Sequence, residues 1–422
     1  MSNITKPLIF KIEYREGYYY MYVCVYAICK NESKNIVKYL DAVKDADLIV
    51  INDTGSTDDT VELIEKYRKD NHLINNYNIS LETKTYEDWD FSVARNDVLD
   101  RAKHIIWETR CPFSDMNYTP YNDWLFVSLD IDEFIEEGAI NRMKSEVPSD
   151  IDTVWLYGIS PNEGTSTYID SKVHTWNFTW HRSIHEIIKH DTKKSKEWKR
   201  FNPKNPYRYY HYQDLSKPRD YYAMLQKAYE KDPNDIKTCT YLCWEAVLHK
   251  DYDNLVDYCK ATINNIYTNT DDEFYKDPQY EIQIYKYFAI YYKSKGMHKE
   301  RVNSLLKAVE IINRGDFQDL RIIHYLLAEA YWEIDDKNAS CKEYRKALDV
   351  KPIKGYWVED ASISDDDICS KLSTAYYYND KIEYAFYYAV AALMKKPDNE
   401  LYKNNLESIK AGYKHHILSD NK

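Results

Sequence analysis

Short apolar runs and longer segments with an apolar residue every three or four positions alternate along the chain to about residue 130. MYVCVYAI (21–28), DLIVI (47–51) and WLFVSL (124–129) have the length and the β-branched and aromatic content of buried strands. Between them ESKNIVKYLDAV (32–43), STDDTVELIEKYRKD (56–70) and FSVARNDVLDRAKHIIWE (91–108) predict amphipathic helices, the second opened by a capping Ser56 and early acids. NNYNISL (75–81) predicts a further short strand. Strands alternating with helices imply an α/β layer with a mostly parallel sheet, whose ligand lies at the carboxyl ends of strands where the strand order reverses. That rule puts CKNES, NDTGSTDD and DIDE on one rim, each stretch following a predicted strand. Between 152 and 212, DTVWLYGI, VHTWNFTWHR and YRYYHYQ predict antiparallel strands that complete the sheet and cover the site, with HDTKKSKEWKRFNPKNP as an exposed loop.

After Pro218 the texture becomes helical, nearly free of glycine, and repetitive. KAYEKDPND, KALDVKP and AALMKKPDN each place an alanine five residues before a proline, and Pro352 and Pro397 lie 45 residues apart. Small residues that let one helix pack on its partner, with proline closing the second helix, predict helical-hairpin repeats of the tetratricopeptide kind, in irregular units. A plain helical bundle is the alternative.

Composition narrows the class. With 422 residues and 44% apolar content the chain can fill more than one core, and its net charge of −12, without a long Lys/Arg block, argues against nonspecific binding of duplex DNA. The eight cysteines form no C-x-x-C pair, so they predict buried reduced thiols in a cytoplasmic protein. Cys239 and Cys243 stand one helical turn apart without a second pair to complete a metal site. The first apolar run is too short to span a bilayer and lacks a small-residue cleavage site, so neither a membrane span nor a signal peptide is expected.

The chemistry starts with LFVSLDIDEF, a buried run that ends in Asp130, Asp132 and Glu133. Clustered carboxylates repel one another and resist leaving water, so a cation is expected between them. A hard divalent ion, Mn²⁺ or Mg²⁺, takes oxygen ligands and is commonly completed by substrate phosphates. The competing reading is that one acid caps the next helix and the other is solvated. In IVINDTGSTDDT, Asp53 ends a strand and can accept from a nucleoside base or ribose, while Gly55 permits a sharp turn. There the competing reading is a turn and helix cap.

Taken in order, INDTGSTDDT, YEDWDFSVARND, DWLFVSLDIDEF and WHRSIHEII, followed by the repetitive tail, resemble the family 2 glycosyltransferases of GT-A fold that carry C-terminal tetratricopeptide repeats, among them the sublancin-type peptide S-glycosyltransferases. The resemblance implies a leader over 1–20, a GT-A (Rossmann-like) mixed-sheet α/β domain over 21–216 and an all-α tetratricopeptide-like repeat domain over 217–422. It implies a metal-dependent, inverting transfer of sugar from a nucleotide-sugar donor, with a leaning to UDP-sugars. Asp53 stands where such enzymes read the base, with Asn31 and Glu32 nearby. Asp90, Arg95 and Asn96 match the Trp-x-x-Phe-Ser-x-Ala-Arg-Asn block, and Arg95 would bind diphosphate or donor sugar unless it pairs with a rim carboxylate. Asp130 and Asp132 match the D-x-D, with Asp132 as the more direct metal ligand. In the His-Glu pair, Glu186 is the first candidate for the base and Glu133 the second, while His185 and His211 would touch metal or diphosphate.

The tail would recruit a peptide or protein acceptor or hold a homodimer together; a surface glycan or a modified DNA base are the other acceptors. A non-catalytic repeat scaffold with a vestigial transferase domain is the alternative of another class. Two departures from the family pattern, the stretch 108–122 before the metal-site strand and Gln213–Asp214 in place of Gly-Tyr, bear on donor and acceptor.

Overall fold

The structure, a computed structural model, describes residues 21–75, 79–110, 123–161, 166–212, 220–268, 277–315, 318–351, 358 and 362–420. Of the two sequence departures, residues 111–122 of the first and Gln213–Asp214 lie outside the described residues, while 108–110 end the third helix. The chain divides into two units, Met1–Arg219 and Asp220–Lys422.

In the first unit the apolar runs are strands β1 (Tyr22–Cys29), β2 (Leu48–Asp53) and β4 (Trp124–Ser128), with the short β3 (Ile79–Thr83) at the edge. β2 and β4 are buried along their whole length, which is why their sequences do not alternate: both faces of the sheet are covered. On one face α1 (Ile36–Ala42), α2 (Thr60–Asn75) and α4 (Ala139–Glu146) bury Ile36, Leu40, Ile64 and Met143 against Val23, Val25, Ile49 and Val127. On the other, α3 (Phe91–Arg110) packs Ala94, Val98, Leu99 and Ala102 against Cys24, Tyr26 and Phe126.

β1 pairs in parallel with both β2 and β4, and β2 with β3. After β3 the chain crosses back to the far side of β1, so the strand order reverses between β1 and β4. The carboxyl ends of those two strands are the switch point, and the DIDE segment follows one of them.

Beyond β4 the sheet turns mixed, as expected, but one strand runs the other way. β7 (Ser166–His174) is antiparallel to β4 and to β6 (Thr153–Ser160), while β11 (Tyr207–His211), expected antiparallel, pairs in parallel with β6 and antiparallel with β5 (Glu133–Ile135). The reason is the long excursion between them. β8 (Phe178–His181) and β9 (Ile187–His190) leave the sheet as their own hairpin, and a connection of that length can return a strand in the same direction. The segment expected as a plain loop contains a 3₁₀ turn, Ser195–Glu197, and β10 (Arg200–Phe201), parallel to β6.

α1 and α2 begin later than the sequence pattern suggests, at Ile36 and Thr60. The residues before them tie the two loops to each other. Ser56 does not cap α2: its Oγ accepts the Asn31 N–H at 2.8 Å and donates to Asp53. Asp58, one residue before the capping position, accepts Thr60 N–H at 3.1 Å and Ser33 N–H at 3.1 Å instead. Burial opposes ionisation of Asp58, but these hydrogen bonds bring it down to about 2.

The second unit is all helix among its described residues. Hairpins form from α6 (Ile236–Leu248) with α7 (Tyr252–Thr268), α8 (Pro278–Ser294) with α9 (His298–Asn313), α10 (Arg321–Glu333) with α11 (Lys337–Asp349), and α12 (Asp365–Tyr377) with α13 (Ile382–Lys395); α5 (Tyr221–Lys231) precedes them and α14 (Glu400–Asp420) follows. The alanines of the sequence repeat, Ala228, Ala347 and Ala392, are all buried. Each hairpin turn uses the same device. Lys250, Gly296, Asp335 and Asp380 hold φ of 57, 68, 65 and 56°, and the next N–H reaches back to the carbonyl of Ala246, Tyr292, Tyr331 and Tyr376 respectively. This is the Schellman closure, which favours glycine because a Cβ is crowded in the left-handed region.

Three of the four turns lack the glycine. Lys250→Gly is therefore expected to stabilise this unit by about 1 kcal/mol, the relieved strain exceeding the extra unfolded-state entropy of glycine. A melting temperature raised by a few degrees is the measurement; a lowered one would show that the Lys250 side chain contributes more than its backbone strain costs.

Candidate functional site

The site is built at the switch point. Arg95, one turn into α3, is 5% exposed and points three ways. Its Nε donates to Glu186 Oε1 at 2.6 Å, its Nη2 to Asp130 Oδ1 at 2.8 Å, and its Nη1 to Ser128 Oγ at 3.3 Å. The guanidinium also lies over the Trp180 ring, 5.2 Å from its centroid. Burial alone would weaken the charge, but Asp130 and Glu186 hold it well above the ordinary arginine range. Reciprocally, burial opposes ionisation of Asp130 and Arg95 overrides it, keeping that carboxyl well below the usual range.

Three separated sequence blocks therefore meet on one side chain. Arg95 comes from the SVARND block, Asp130 from the D-x-D after β4, and Glu186 from the segment that enters β9. The hairpin that carries Glu186 is pinned to α3 twice. Asn96 exchanges two hydrogen bonds with the Trp180 backbone, at 2.8 and 2.7 Å, and Phe91 N–H donates to Ser183 O at 3.0 Å. Arg182 and His185 in that loop hold φ of 76 and 50°, an uncommon backbone for side-chain-bearing residues.

Below Arg95 runs a buried relay that the sequence does not announce. Trp180 Nε1–H donates to the Tyr26 hydroxyl at 2.8 Å, and Tyr26 lies 2.8 Å from His174 Nε2. His174 Nδ1 is 2.7 Å from the Thr175 carbonyl, which can only accept. Nδ1 therefore carries the proton and Nε2 accepts from Tyr26.

Asp132 and His211 form a second pair, Oδ2 to Nε2 at 3.5 Å, with side chains 15% and 25% exposed. The hydrogen bond to Asp132 leads the influences that raise His211 above its ordinary value. Among the described residues there is no group of three or more His, Cys, Asp or Glu side chains gathered as a metal cage. A hard divalent ion that keeps waters and takes phosphate oxygens needs only one or two protein carboxylates, and the partly exposed Asp132, beside Asp130 and His211, fits that donor set.

Other expected ligand-binding side chains are engaged within the protein. Asp53 is fully buried, and its carboxylate accepts the Gly55 N–H at 3.1 Å, the Ser56 N–H at 3.0 Å and the Ser56 hydroxyl. The turn it closes requires Gly55, at φ 99°, where a Cβ would also meet Thr85 Cγ2 at 3.1 Å. Asn31 holds φ 55° and its Oδ1 accepts Thr57 N–H at 2.7 Å; Glu32 Oε2 accepts from Asn35 at 2.9 Å. Asp90 caps α3 through Val93 N–H at 3.2 Å and Ser92 Oγ at 2.8 Å. Glu133, the second candidate for a base, is 2% exposed, with both oxygens on Lys172 Nζ at 2.5 and 2.7 Å. Burial outweighs the pull of Lys172 and, with the Asp130 charge nearby, pushes its carboxyl up to about 7.

Sequence reasoning missed Lys172, Ser128, Trp180, Tyr26 and His174. The available signal was Lys172 and His174 standing two apart, on either side of Val173, where a predicted strand begins.

Residues 24–106 match the model of the family Glycosyl transferase family 2. The match runs from β1 into α3, so it holds Asn31, Glu32, Asp53, Asp90, Arg95 and Asn96 and ends before the D-x-D. It supports a glycosyltransferase domain. The chain is also similar, at low identity, to several solved structures. YrrB, "a TPR protein with an unusual peptide-binding site", shares 12% identity over 45% of this chain and 84% of that chain, at a TM-score of 0.35. BtubC from P. vanneervenii shares 14% over 47% and 88%, at 0.34, and MamA from Desulfovibrio magneticus RS-1 shares 13% over 44% and 89%, at 0.33. No curated protein matches the chain. Among the described residues no helix is long and apolar enough to cross a membrane.

Proposed function

We propose that the first unit is a metal-dependent, inverting glycosyltransferase that moves a sugar from a UDP-sugar to a side chain of a peptide or protein, and that the helical unit recruits this acceptor. The observation that carries the reading is the meeting of Asp130 and Glu186 on the buried Arg95. It joins the D-x-D to the His-Glu block across the sheet's switch point, and the glycosyltransferase family match covers β1 to α3, Arg95 included, but neither Asp130 nor Glu186.

Asp132, with Asp130 and His211, would hold the ion. A bound Mn²⁺ or Mg²⁺ would supply the charge that neutralises the leaving diphosphate. Arg95 turns part of its donor fork from Asp130 to the diphosphate, a match of planar donors to phosphate oxygens. Glu186, with one oxygen fixed by Arg95 Nε, keeps its second oxygen to take the proton of the attacking acceptor. As that proton leaves, the acceptor atom bonds to the anomeric carbon and the bond from carbon to phosphate oxygen breaks. Glu133 sits in this scheme as a supporting residue, since both its oxygens are bound. Asp53, Asn31 and Glu32 shape the rim on which the base lies, and His185 lines the diphosphate side. Peptide capture by the tail rests on the resemblance of the whole domain order to the peptide S-glycosyltransferases.

The test is a titration of UDP and a panel of UDP-sugars, with and without Mn²⁺, into wild-type protein and Asp132→Ala. At a nucleotide concentration of 100 Kd the wild type is expected to gain about 2.7 kcal/mol of stability and to hydrolyse one donor slowly, with both effects lost in the variant. A wild type that no nucleotide sugar stabilises would favour the scaffold reading.

A further inference from the structure

The D-x-D turn is held from below by a charge pair. Glu133 directly follows Asp132 and opens β5, yet its carboxylate turns back under the turn: Oε2 accepts the Asp130 N–H at 2.8 Å. The backbone repeats the closure, with Glu133 N–H donating to Asp130 O at 2.9 Å. Asp132 O accepts Tyr212 N–H at 2.9 Å, which ties the other side of the turn to the end of β11. One backbone amide does not compensate a buried carboxylate, and burying its charge without a partner is expensive.

Lys172 supplies the compensation. It reaches from β7, on a strand that pairs with β4, and its Nζ meets both oxygens of Glu133 at 2.5 and 2.7 Å. The two side chains are 14% and 3% exposed. The Lys172 ammonium also lies over the Tyr209 ring, 5.3 Å from its centroid. The chain is thus continuous: Tyr209 and β7 place Lys172, Lys172 fixes Glu133, and Glu133 fixes the amide of Asp130. Without the lysine, the Glu133 carboxylate loses the partner that holds both its oxygens under the turn and is free to swing toward water, away from the Asp130 amide.

We infer that Lys172 and Glu133 are positioning residues that clamp the Asp130–Asp132 turn in the shape that receives the donor diphosphate. The inference rests on the glycosyltransferase reading for its functional consequence, but the clamp itself is measurable without any donor. Glu133 acts through the turn, and not as the acceptor of a proton from substrate.

The experiment compares wild type, Lys172→Met, Lys172→Arg and the double variant Lys172→Met/Glu133→Leu, which removes the pair without leaving a buried charge unpaired. Amide hydrogen exchange of the peptide spanning Asp130–Glu133 reads the clamp directly, and calorimetric titration with UDP and Mn²⁺ reads its consequence. Exchange at the Asp130 amide should rise at least tenfold in Lys172→Met and in the double variant, with UDP binding weakened at least tenfold, while Lys172→Arg stays within about threefold of wild type on both. Unchanged exchange in the folded double variant would overturn the inference, whatever happens to the melting temperature. Faster exchange with UDP affinity within twofold of wild type would also overturn it, reducing the pair to a structural role. A wild type that binds no UDP, with the exchange pattern as expected, would instead overturn the glycosyltransferase reading and leave the clamp standing.

Discussion

Replacing Arg95 by methionine is expected to destabilise the first unit by about 3 kcal/mol and to abolish sugar-nucleotide turnover. A buried ion pair is weak support for stability as such, since desolvation offsets most of its attraction. Removing one partner is different, because it leaves the others unpaired in a place built for a cation. Here two carboxylates would be left, Glu186 at 15% exposure and Asp130 at 35%, and their mutual repulsion would then act without a mediator. Arg95→Lys keeps the charge but not the fork: one ammonium cannot reproduce donation from Nε to Glu186, from Nη2 to Asp130 and from Nη1 to Ser128. It is expected to recover most of the stability while losing on the order of a hundredfold in turnover, because the phosphate-matching geometry is gone. Denaturant midpoints and single-turnover rates separate the two effects. Adding Glu186→Gln to Arg95→Met should restore part of the lost stability and none of the rate. A double variant no more stable than Arg95→Met would show that the pair is not coupled as the distances imply.

The fold was legible wherever burial imposes a period. β2 and β4 read as continuous apolar runs because both their faces are covered, and α3 reads as a helix because one stripe of it, Ala94, Val98, Ala102 and Ile106, meets the sheet. The site was legible in part. Asp130, Arg95 and Glu186 could each be singled out from their blocks, but their meeting on a single guanidinium depends on β4 lying beside β1 and on the hairpin of β8 and β9 folding over α3. Local sequence does not encode that placement. Asp53 shows the opposite difficulty. Asp-Thr-Gly-Ser suits a ligand-binding rim and a side-chain-closed turn equally well, because the same short acid that could accept from a base can accept from Gly55 and Ser56 N–H. The repeat turns were hidden for a third reason: Lys250, Asp335 and Asp380 occupy a backbone region that glycine would have advertised.

Two buried histidines give the units opposite responses to pH, and the effect is large enough to separate their unfolding. In the first unit His174 is fully buried between Tyr26 and the Thr175 carbonyl, and burial pushes it down to about 3. Its folded value lies below the ordinary 6.5, so the unfolded chain binds the proton more readily. The contribution is complete above pH 6.5 and is lost at about 1.4 kcal/mol per unit as pH falls toward 3. In the second unit His324 is equally buried, against desolvation, but it lies 2.8 Å from Asp319 and 2.6 Å from Glu343, and these partners bring it up to about 9. There the folded protein holds the proton more tightly. The contribution, about 3 kcal/mol, is complete below pH 6.5 and disappears as pH rises through 9. Unfolding followed by a probe in each unit should therefore show the first unit failing first at pH 5 and the second losing its margin between pH 7 and 9. His174→Gln should flatten the acid limb alone and His324→Gln the alkaline limb alone. If a limb persisted in its variant, groups other than that imidazole would be the ones that titrate there. The opposite signs follow from the partners: His174 is offered a hydroxyl and a carbonyl, which leave it neutral, and His324 is offered two carboxylates, which hold its proton.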